Sequence, residues 1–387
     1  MRSSVLLGLL PLTTGLSPAY YQYVSMLPPA NSTAIAEADI TGTADITEHY
    51  LKTQLINHLD TDSAAYSQRY FSRSTYTSAP TPDYVFLCTG GEGPAFQSSV
   101  LSDSVHCTGD MIALAEKLYT EHGKNVLLYA LEHRYYGLSY PDHTDLTHLT
   151  SFQAASDVST FVTAMNAAFT TTPKWVTFGG SYPGMMSAYS RLLFPELIHA
   201  SVSNSAPVQP SLEMASYNDW TAKQLGETSI GGSAACKSMI EDGHAAVAAM
   251  LPDESTHAEL VKAFNVCPIV GVDDPLAVLR NQQLFAGDGL LYIPAQGNDQ
   301  SCSGELCNIE KMCAAMTSDE TQSPYDALVR VVALQNGGQC ISASWEANIK
   351  FLQSDASSLG GTKSWLYQVR RAKGGVRRMM RRPEITL

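Results

Sequence analysis

From Leu51 to Asn204 the chain alternates between short, continuously apolar runs and longer stretches whose apolar residues recur at helical spacing. Tyr84-Val-Phe-Leu-Cys88, Asn125-Val-Leu-Leu-Tyr-Ala-Leu131 and Trp175-Val-Thr-Phe178 are runs of the first kind. A strand reads this way when both of its faces are covered. Between them, Asp110 to His122 carries Met111, Ile112, Leu114, Ala115 and Leu118 at helical spacing and closes on Gly123. Ser151 to Thr170 puts Ala154, Val158, Phe161, Val162 and Met165 on one face, which predicts a second helix. A helix ending near Phe194 and a short strand at His199–Asn204 follow. Upstream, Leu51–Asp60 leads into Gln68-Arg-Tyr-Phe71, the polar and aromatic alternation of an early antiparallel strand. The series predicts a doubly wound α/β sheet, with function at the carboxyl ends of its strands.

The pattern changes after Ala206-Pro207. From Ser211 to about Leu352 the segments read as helical and alanine-rich and hold Cys236, Cys267, Cys302, Cys307, Cys313 and Cys340. This predicts a helical, disulfide-containing cap over about 208–355 beside a core at 51–207, with 356–368 returning toward that core. Ala30 to Glu48 is rich in alanine, threonine and acidic residues without periodicity, so 20–50 reads as an exposed leader or propeptide. Met1–Leu12 offers one positive charge and a short apolar run, and Ser17-Pro-Ala19 is a small-residue cleavage site, so 1–19 reads as a secretory signal. No later run approaches the ~20 apolar residues of a membrane span. The expected location is the secretory pathway, in a lysosome or vacuole or outside the cell.

Eight cysteines fit that compartment. Cys302, Cys307 and Cys313 crowd together, but no pair has two-residue spacing and no histidine follows His257, so disulfides rather than zinc are expected and no metal is. Asn31-Ser-Thr33 is the one glycosylation sequon. A net charge of −13 and a pI near 5.2 argue against a nucleic-acid or membrane-surface partner, which would call for a basic face.

The candidate chemistry lies at Trp175-Val-Thr-Phe-Gly-Gly-Ser-Tyr-Pro-Gly184, which reads as a strand, a glycine-tight turn and a helix. Such a nucleophile elbow strains Ser181, pushes its Oγ outward and aims helix N-terminal N–H groups at the same point. Gly179 and Ser181 match the Gly-x-Ser-x-Gly pattern with Gly180 between them, Pro183 stands where the second glycine is usual, and Gly184 follows at once. Proline is tolerated there because its missing N–H would be unpaired in the first turn. On the local pattern alone, Ser181 also reads as an ordinary N-cap. Gly90-Gly-Glu-Gly-Pro94 follows the strand at 84–88, the place where an α/β-hydrolase takes its second oxyanion N–H, with Gly91 and Glu92 in the loop; taken in isolation it also reads as an ordinary turn. At the end of the next strand, neighbouring opposite charges suggest a partly buried ion pair through Glu132 and Arg134, near the site but structural. His133 between them also reads as structural.

Taken together, Gly90-Gly-Glu-Gly93, Glu132-His-Arg-Tyr-Tyr-Gly-Leu-Ser139, Phe178-Gly-Gly-Ser-Tyr-Pro-Gly184 and Ala200-Ser-Val-Ser-Asn-Ser-Ala-Pro207 resemble one family of serine peptidases. It is the family of lysosomal Pro-Xaa carboxypeptidase, dipeptidyl peptidase 2 and thymus-specific serine protease, and the chain looks nearest the thymus-specific type. Tyr217-Asn218, Ile230-Gly-Gly232 and Ser364-Trp-Leu-Tyr-Gln368 also fall in family order. The resemblance implies an α/β-hydrolase core with a helical cap and exopeptidase hydrolysis of small peptides on the carboxyl side of proline. It makes Ser181 the nucleophile and puts the Tyr182 N–H in the oxyanion position. No cofactor is implied, because acyl transfer at serine needs none.

In the family, the aspartate and histidine of the triad lie well beyond the Trp-Leu-Tyr-Gln motif. Here no histidine follows His257, and Val369–Leu387 holds seven of the 24 lysines and arginines. The expectation is a C-terminally truncated chain with an atypical basic tail, lacking its last sheet strands and the acid/base half of the machinery. Two other readings stay open: an α/β-hydrolase esterase, and a non-catalytic peptide-binding relative.

Overall fold

The computed structural model describes residues 45–93, 96, 98–102, 110–142, 145–209, 215–287, 289–295, 298–354 and 361–368. The expected signal segment, most of the expected leader, Asn31 and the basic tail lie outside them. The chain divides into two compact units, one containing 30–212 and 350–387, the other 213–349.

The first unit is built on a six-stranded sheet in the order β1-β2-β4-β3-β5-β6. Its strands are β1 (Ile46–Leu55), β2 (Ala65–Arg73), β3 (Tyr84–Thr89), β4 (Val126–Leu131), β5 (Lys174–Gly180) and β6 (Ile198–Asn204). β1, β2 and β4 pair antiparallel, whereas β4, β3, β5 and β6 run parallel. Leu87 of β3 sits opposite Tyr129 of β4 and Thr177 of β5, so β3 is central and its carboxyl end opens beside that of β5.

Alternation along each strand sends side chains into two cores. Phe86, Cys88, Leu128, Ala130 and Phe178 pack on one side with Met111 and Ala115 of α1 (Asp110–His122). Val85, Leu87, Tyr129 and Trp175 pack on the other with Val158, Phe161 and Val162 of α2 (Ser151–Asn166). Covering both faces explains the unbroken apolar runs. The third core-unit helix, α3 (Ser181–Leu193), follows β5 directly.

The sheet starts at Ile46, inside the segment expected as leader. Half of β1 is solvent-exposed, with Thr47, Glu48 and Tyr50 facing out, so its sequence lacks the apolar run of a covered strand. The second helix ends at Asn166, short of the expected Thr170, and Asn166 turns its Oδ1 to accept the Trp175 indole N–H at 2.8 Å.

The second unit contains α4 (Ala215–Leu225), α5 (Ala234–Met250), α6 (His257–Ala263), α7 (Leu279–Ala286), α8 (Ile309–Met316) and α9 (Pro324–Gln335). Ile240, Val247, Leu260, Phe285, Met312, Leu328 and Val331 form its core. The Cys236–Cys313 disulfide ties α5 to α8, Cys267 joins Cys340, and Cys302 joins Cys307. Cys88 of the core unit is also disulfide-bonded. Among the described residues no helix is long and apolar enough to cross a membrane.

Candidate active site

At the carboxyl end of β5 the chain turns into α3 without an intervening loop. Gly180 is the N-cap in extended backbone, and Ser181 follows with φ +57°. That is the left-handed region, which costs a non-glycine residue about 1–2 kcal/mol. Such strain persists only where the surroundings over-determine it. Here they do. A Cβ on Gly179 would overlap the Pro183 carbonyl, and one on Gly184 would lie 2.9 Å from the carbonyl oxygens of Asn204 and Gly179. The first turn of α3 is therefore pressed against β5 and β6 at backbone distance. Ser203 Oγ donates to Gly184 O at 2.7 Å, and Ser187 Oγ lies 3.1 Å from Val202 O, fastening the helix to β6.

β3 grips the turn from its other side. The Thr89 hydroxyl lies 2.8 Å from Pro183 O and 3.0 Å from Phe178 O, sharing its one proton between the two ends of the elbow. The glycine loop follows immediately. A Cβ on Gly90 would sit 2.5 Å from Leu131 O and His133 N, and one on Gly91 would overlap the Pro183 ring. So the structure brings Gly91, Gly179, Gly180, Ser181 and Tyr182 together, with Glu92 next in the loop. Ser181 is exposed and Tyr182 buried. The N–H groups of the first helical turn have no intrahelical acceptor and point toward the helix start, where an anion is favoured. Glu92 keeps its carboxyl in dry surroundings: burial pushes it up to about 7, and among the described residues Oε2 has no hydrogen-bond partner.

Glu132 and Arg134 do not pair with each other. Glu132 Oε1 accepts from Arg69 Nη2 at 2.7 Å and from Phe96 N at 3.0 Å. Its Oε2 accepts from Leu138 N at 2.9 Å and Ser139 Oγ at 2.8 Å. Arg134 turns instead to α2, donating from Nε and Nη2 to the two Asp157 oxygens at 2.6 Å each. Its remaining N–H groups donate to the carbonyls of Leu55, Ile56 and His148. Asp157 also accepts from His58 Nε2 at 2.7 Å and Tyr66 O–H at 3.0 Å. Burial pushes the Asp157 carboxyl up, but the Arg134 charge and these hydrogen bonds outweigh it and hold the carboxyl below its ordinary range. Each charge thus has its own buried partner, and the turn after β4 rests on two ionic struts rather than one.

The segment 362–368 is bonded to the turn after β4: Ser364 Oγ donates to Tyr135 O at 2.8 Å, and Tyr136 O–H donates to Gln368 Oε1 at 2.8 Å. Among the described residues no hydrogen bond reaches the Ser181 side chain. The described histidines with strong polar partners are engaged elsewhere: His58 with Asp157, His133 with Tyr182, His257 with Asp274. No group of three or more His, Cys, Asp or Glu side chains able to hold a metal occurs among the described residues. Thr89, Arg69 and Asp157 carry no signal in the sequence. Their roles depend on partners brought together by the sheet and α2.

The Serine carboxypeptidase S28 family model matches residues 54–371. The chain is 31% identical over 320 residues to the thymus-specific serine protease of Homo sapiens, covering 79% of this chain and 59% of that protein. It is 29% identical over 321 residues to the protein of the same name from Mus musculus, covering 79% of this chain and 60% of that one. The lysosomal Pro-X carboxypeptidase of Bos taurus matches at 30% over 152 residues, 37% of this chain and 28% of the relative. The chain thus spans under two thirds of the length of these relatives. The family is the one the four motifs pointed to, and the segment read from the sequence as a nucleophile elbow is the strained turn after β5. With that turn, the mixed sheet and a match over most of its length, the chain belongs to the serine carboxypeptidase S28 family of serine peptidases, on an α/β-hydrolase fold.

Proposed function

We propose that this chain carries the nucleophile and oxyanion elements of a peptidase that hydrolyses small peptides on the carboxyl side of proline, as a carboxypeptidase or dipeptidyl peptidase. The observation that carries the reading is Ser181, exposed at φ +57° at the head of α3. Its Oγ attacks the carbonyl carbon of the scissile bond, and the carbonyl oxygen becomes an oxyanion. The Tyr182 N–H donates to that oxyanion, with a second N–H from the loop at Gly91 and Glu92. Collapse of the tetrahedral adduct expels the amine, whose nitrogen takes up the proton that Ser181 Oγ gave up, and leaves an acyl-enzyme on Ser181; water then hydrolyses it, releasing the acid and restoring the hydroxyl.

A serine hydroxyl is a weak nucleophile without a base in hydrogen-bond reach. Among the described residues no histidine bonds Ser181, so with these groups alone turnover far below that of an ordinary peptidase is expected. Triad members act as a unit, and a residual ~10³–10⁴-fold over water is what oxyanion hole and binding supply alone. Disulfides in both units and the lysosomal name of the bovine relative support a place in the secretory pathway.

A panel of proline-containing peptides and short acyl esters, run on wild type and Ser181→Ala, tests this. Slow cleavage after proline that disappears in Ser181→Ala is expected. Turnover at a normal peptidase rate would contradict the incomplete-site reading, ester hydrolysis alone would favour an esterase, and peptide binding that survives Ser181→Ala without wild-type turnover would favour a binding protein.

A further inference from the structure

The residue after the nucleophile is held by a side chain that the reaction does not consume. Tyr182 turns its ring into the core, and its hydroxyl lies 2.9 Å from His133 Nε2, with Ser151 and Gln368 alongside. The other ring nitrogen of His133, Nδ1, lies 2.7 Å from Arg134 O. A carbonyl oxygen only accepts, so Nδ1 carries the proton of a neutral imidazole. Nε2 then offers a lone pair, and the Tyr182 O–H donates to it.

The imidazole has little freedom to do otherwise. Tyr136 packs edge-on against it with centroids 5.2 Å apart, and the Tyr182 ring tilts over it at 5.4 Å. Burial pushes the imidazole down to about 4; the Arg134 carbonyl and the Asp157 charge oppose that, and the Arg134 charge adds to it. Burial also holds the Tyr182 phenol well above its ordinary value, so it keeps its proton.

We propose that His133 is a positioning residue for acyl transfer: as a neutral Nδ1–H imidazole it accepts the Tyr182 hydroxyl at Nε2 and so fixes the residue whose backbone N–H meets the oxyanion. The proposal rests on Ser181 being the nucleophile. Tyr182 sits one residue past a strained backbone, in a helical turn whose N–H groups lack intrahelical acceptors; Thr89 and Ser203 fasten the backbone of Pro183 and Gly184 beyond it, and His133 holds the side chain of Tyr182 itself. A displacement of about 1 Å at such a donor costs about 10²-fold in rate. No proton is exchanged with the substrate through His133.

Two measurements on the full chain test this. The first is the nitrogen resonances of ¹⁵N-labelled His133 across pH 4–8, assigned by comparison with His133→Gln. Protonated Nδ1, unprotonated Nε2 and a midpoint near 4 are expected. An Nε2–H tautomer, or the ordinary midpoint near 6.5, would overturn the assignment. The second is the rate at which a fluorophosphonate modifies Ser181 in His133→Gln, whose amide oxygen accepts the same hydroxyl, and in His133→Leu. Rates within ~3-fold of wild type for His133→Gln and ~10–100-fold slower for His133→Leu are expected, with circular dichroism showing both folded. Equal rates in the two variants would refute a positioning role. Should wild-type Ser181 take no label at all, the nucleophile reading and the positioning role resting on it fail together, and the nitrogen shifts then report only how Tyr182 is held.

Discussion

Replacing Arg134 with methionine is expected to remove about 3–5 kcal/mol of stability, because it strands a buried Asp157 carboxylate without its cation. Both side chains are essentially inaccessible, at 0% and 1%, so water cannot take over the lost bonds. Chemical denaturation of the two proteins at neutral pH measures the difference. Its pH dependence is a second signature. In the wild type the Asp157 carboxyl is held below its unfolded value, so its contribution is present above about pH 4 and is lost as pH falls through the folded value. In Arg134→Met, burial acts without the guanidinium, the folded carboxyl rises above the unfolded one, and protonation relieves the penalty. The gap between the two proteins should therefore narrow as pH is lowered from 7 toward 4. A gap that stays constant, or a loss under about 1 kcal/mol, would mean that the pair does not hold the turn after β4.

Gly179→Ala should be as damaging, for a steric reason. The added methyl would overlap the Pro183 carbonyl, which is backbone and can give only if the elbow itself moves. Overpacking of this kind costs about 3 kcal/mol, and the displaced turn should lose its reactivity with a serine-directed probe. The neighbouring glycine is the control. Gly180 has extended backbone, and its nearest obstacle, Asn204 O, would be 3.9 Å from the new Cβ. Gly180→Ala should then cost under ~1 kcal/mol, within the range of an unobtrusive substitution. Equal melting temperatures for the two variants would show that the close approach of β5 and Pro183 is not what shapes the turn.

The parts legible in the sequence are those whose cause is local. β3, β4 and β5 are covered on both faces, and their apolar runs follow from that. The elbow was legible because its glycines, serine and proline are consecutive, and each has a steric or hydrogen-bonding reason to be there. β1 was partly missed, since half of its residues are exposed and its first residues look like those of an exposed leader. The ionic struts were read wrongly for a different reason. Glu132 and Arg134 are neighbours in the chain and opposite in charge, yet each finds a better-placed partner 63 or 23 positions away, on β2 and α2. Proximity in sequence says little about pairing once a side chain is buried, because desolvation selects the partner that also completes its hydrogen bonds. The contact of His133 with Tyr182 was hidden likewise, spanning 49 positions.

The central claim is that the Ser181 hydroxyl is presented for attack beside unpaired backbone N–H groups. Incubating the purified chain with a fluorophosphonate and mapping the adduct by peptide mass spectrometry tests it directly. The account predicts a single modified residue, Ser181, and no modification in Ser181→Ala. An unmodified Ser181 with the adduct on another serine, or no adduct on a protein shown to be folded, would contradict it.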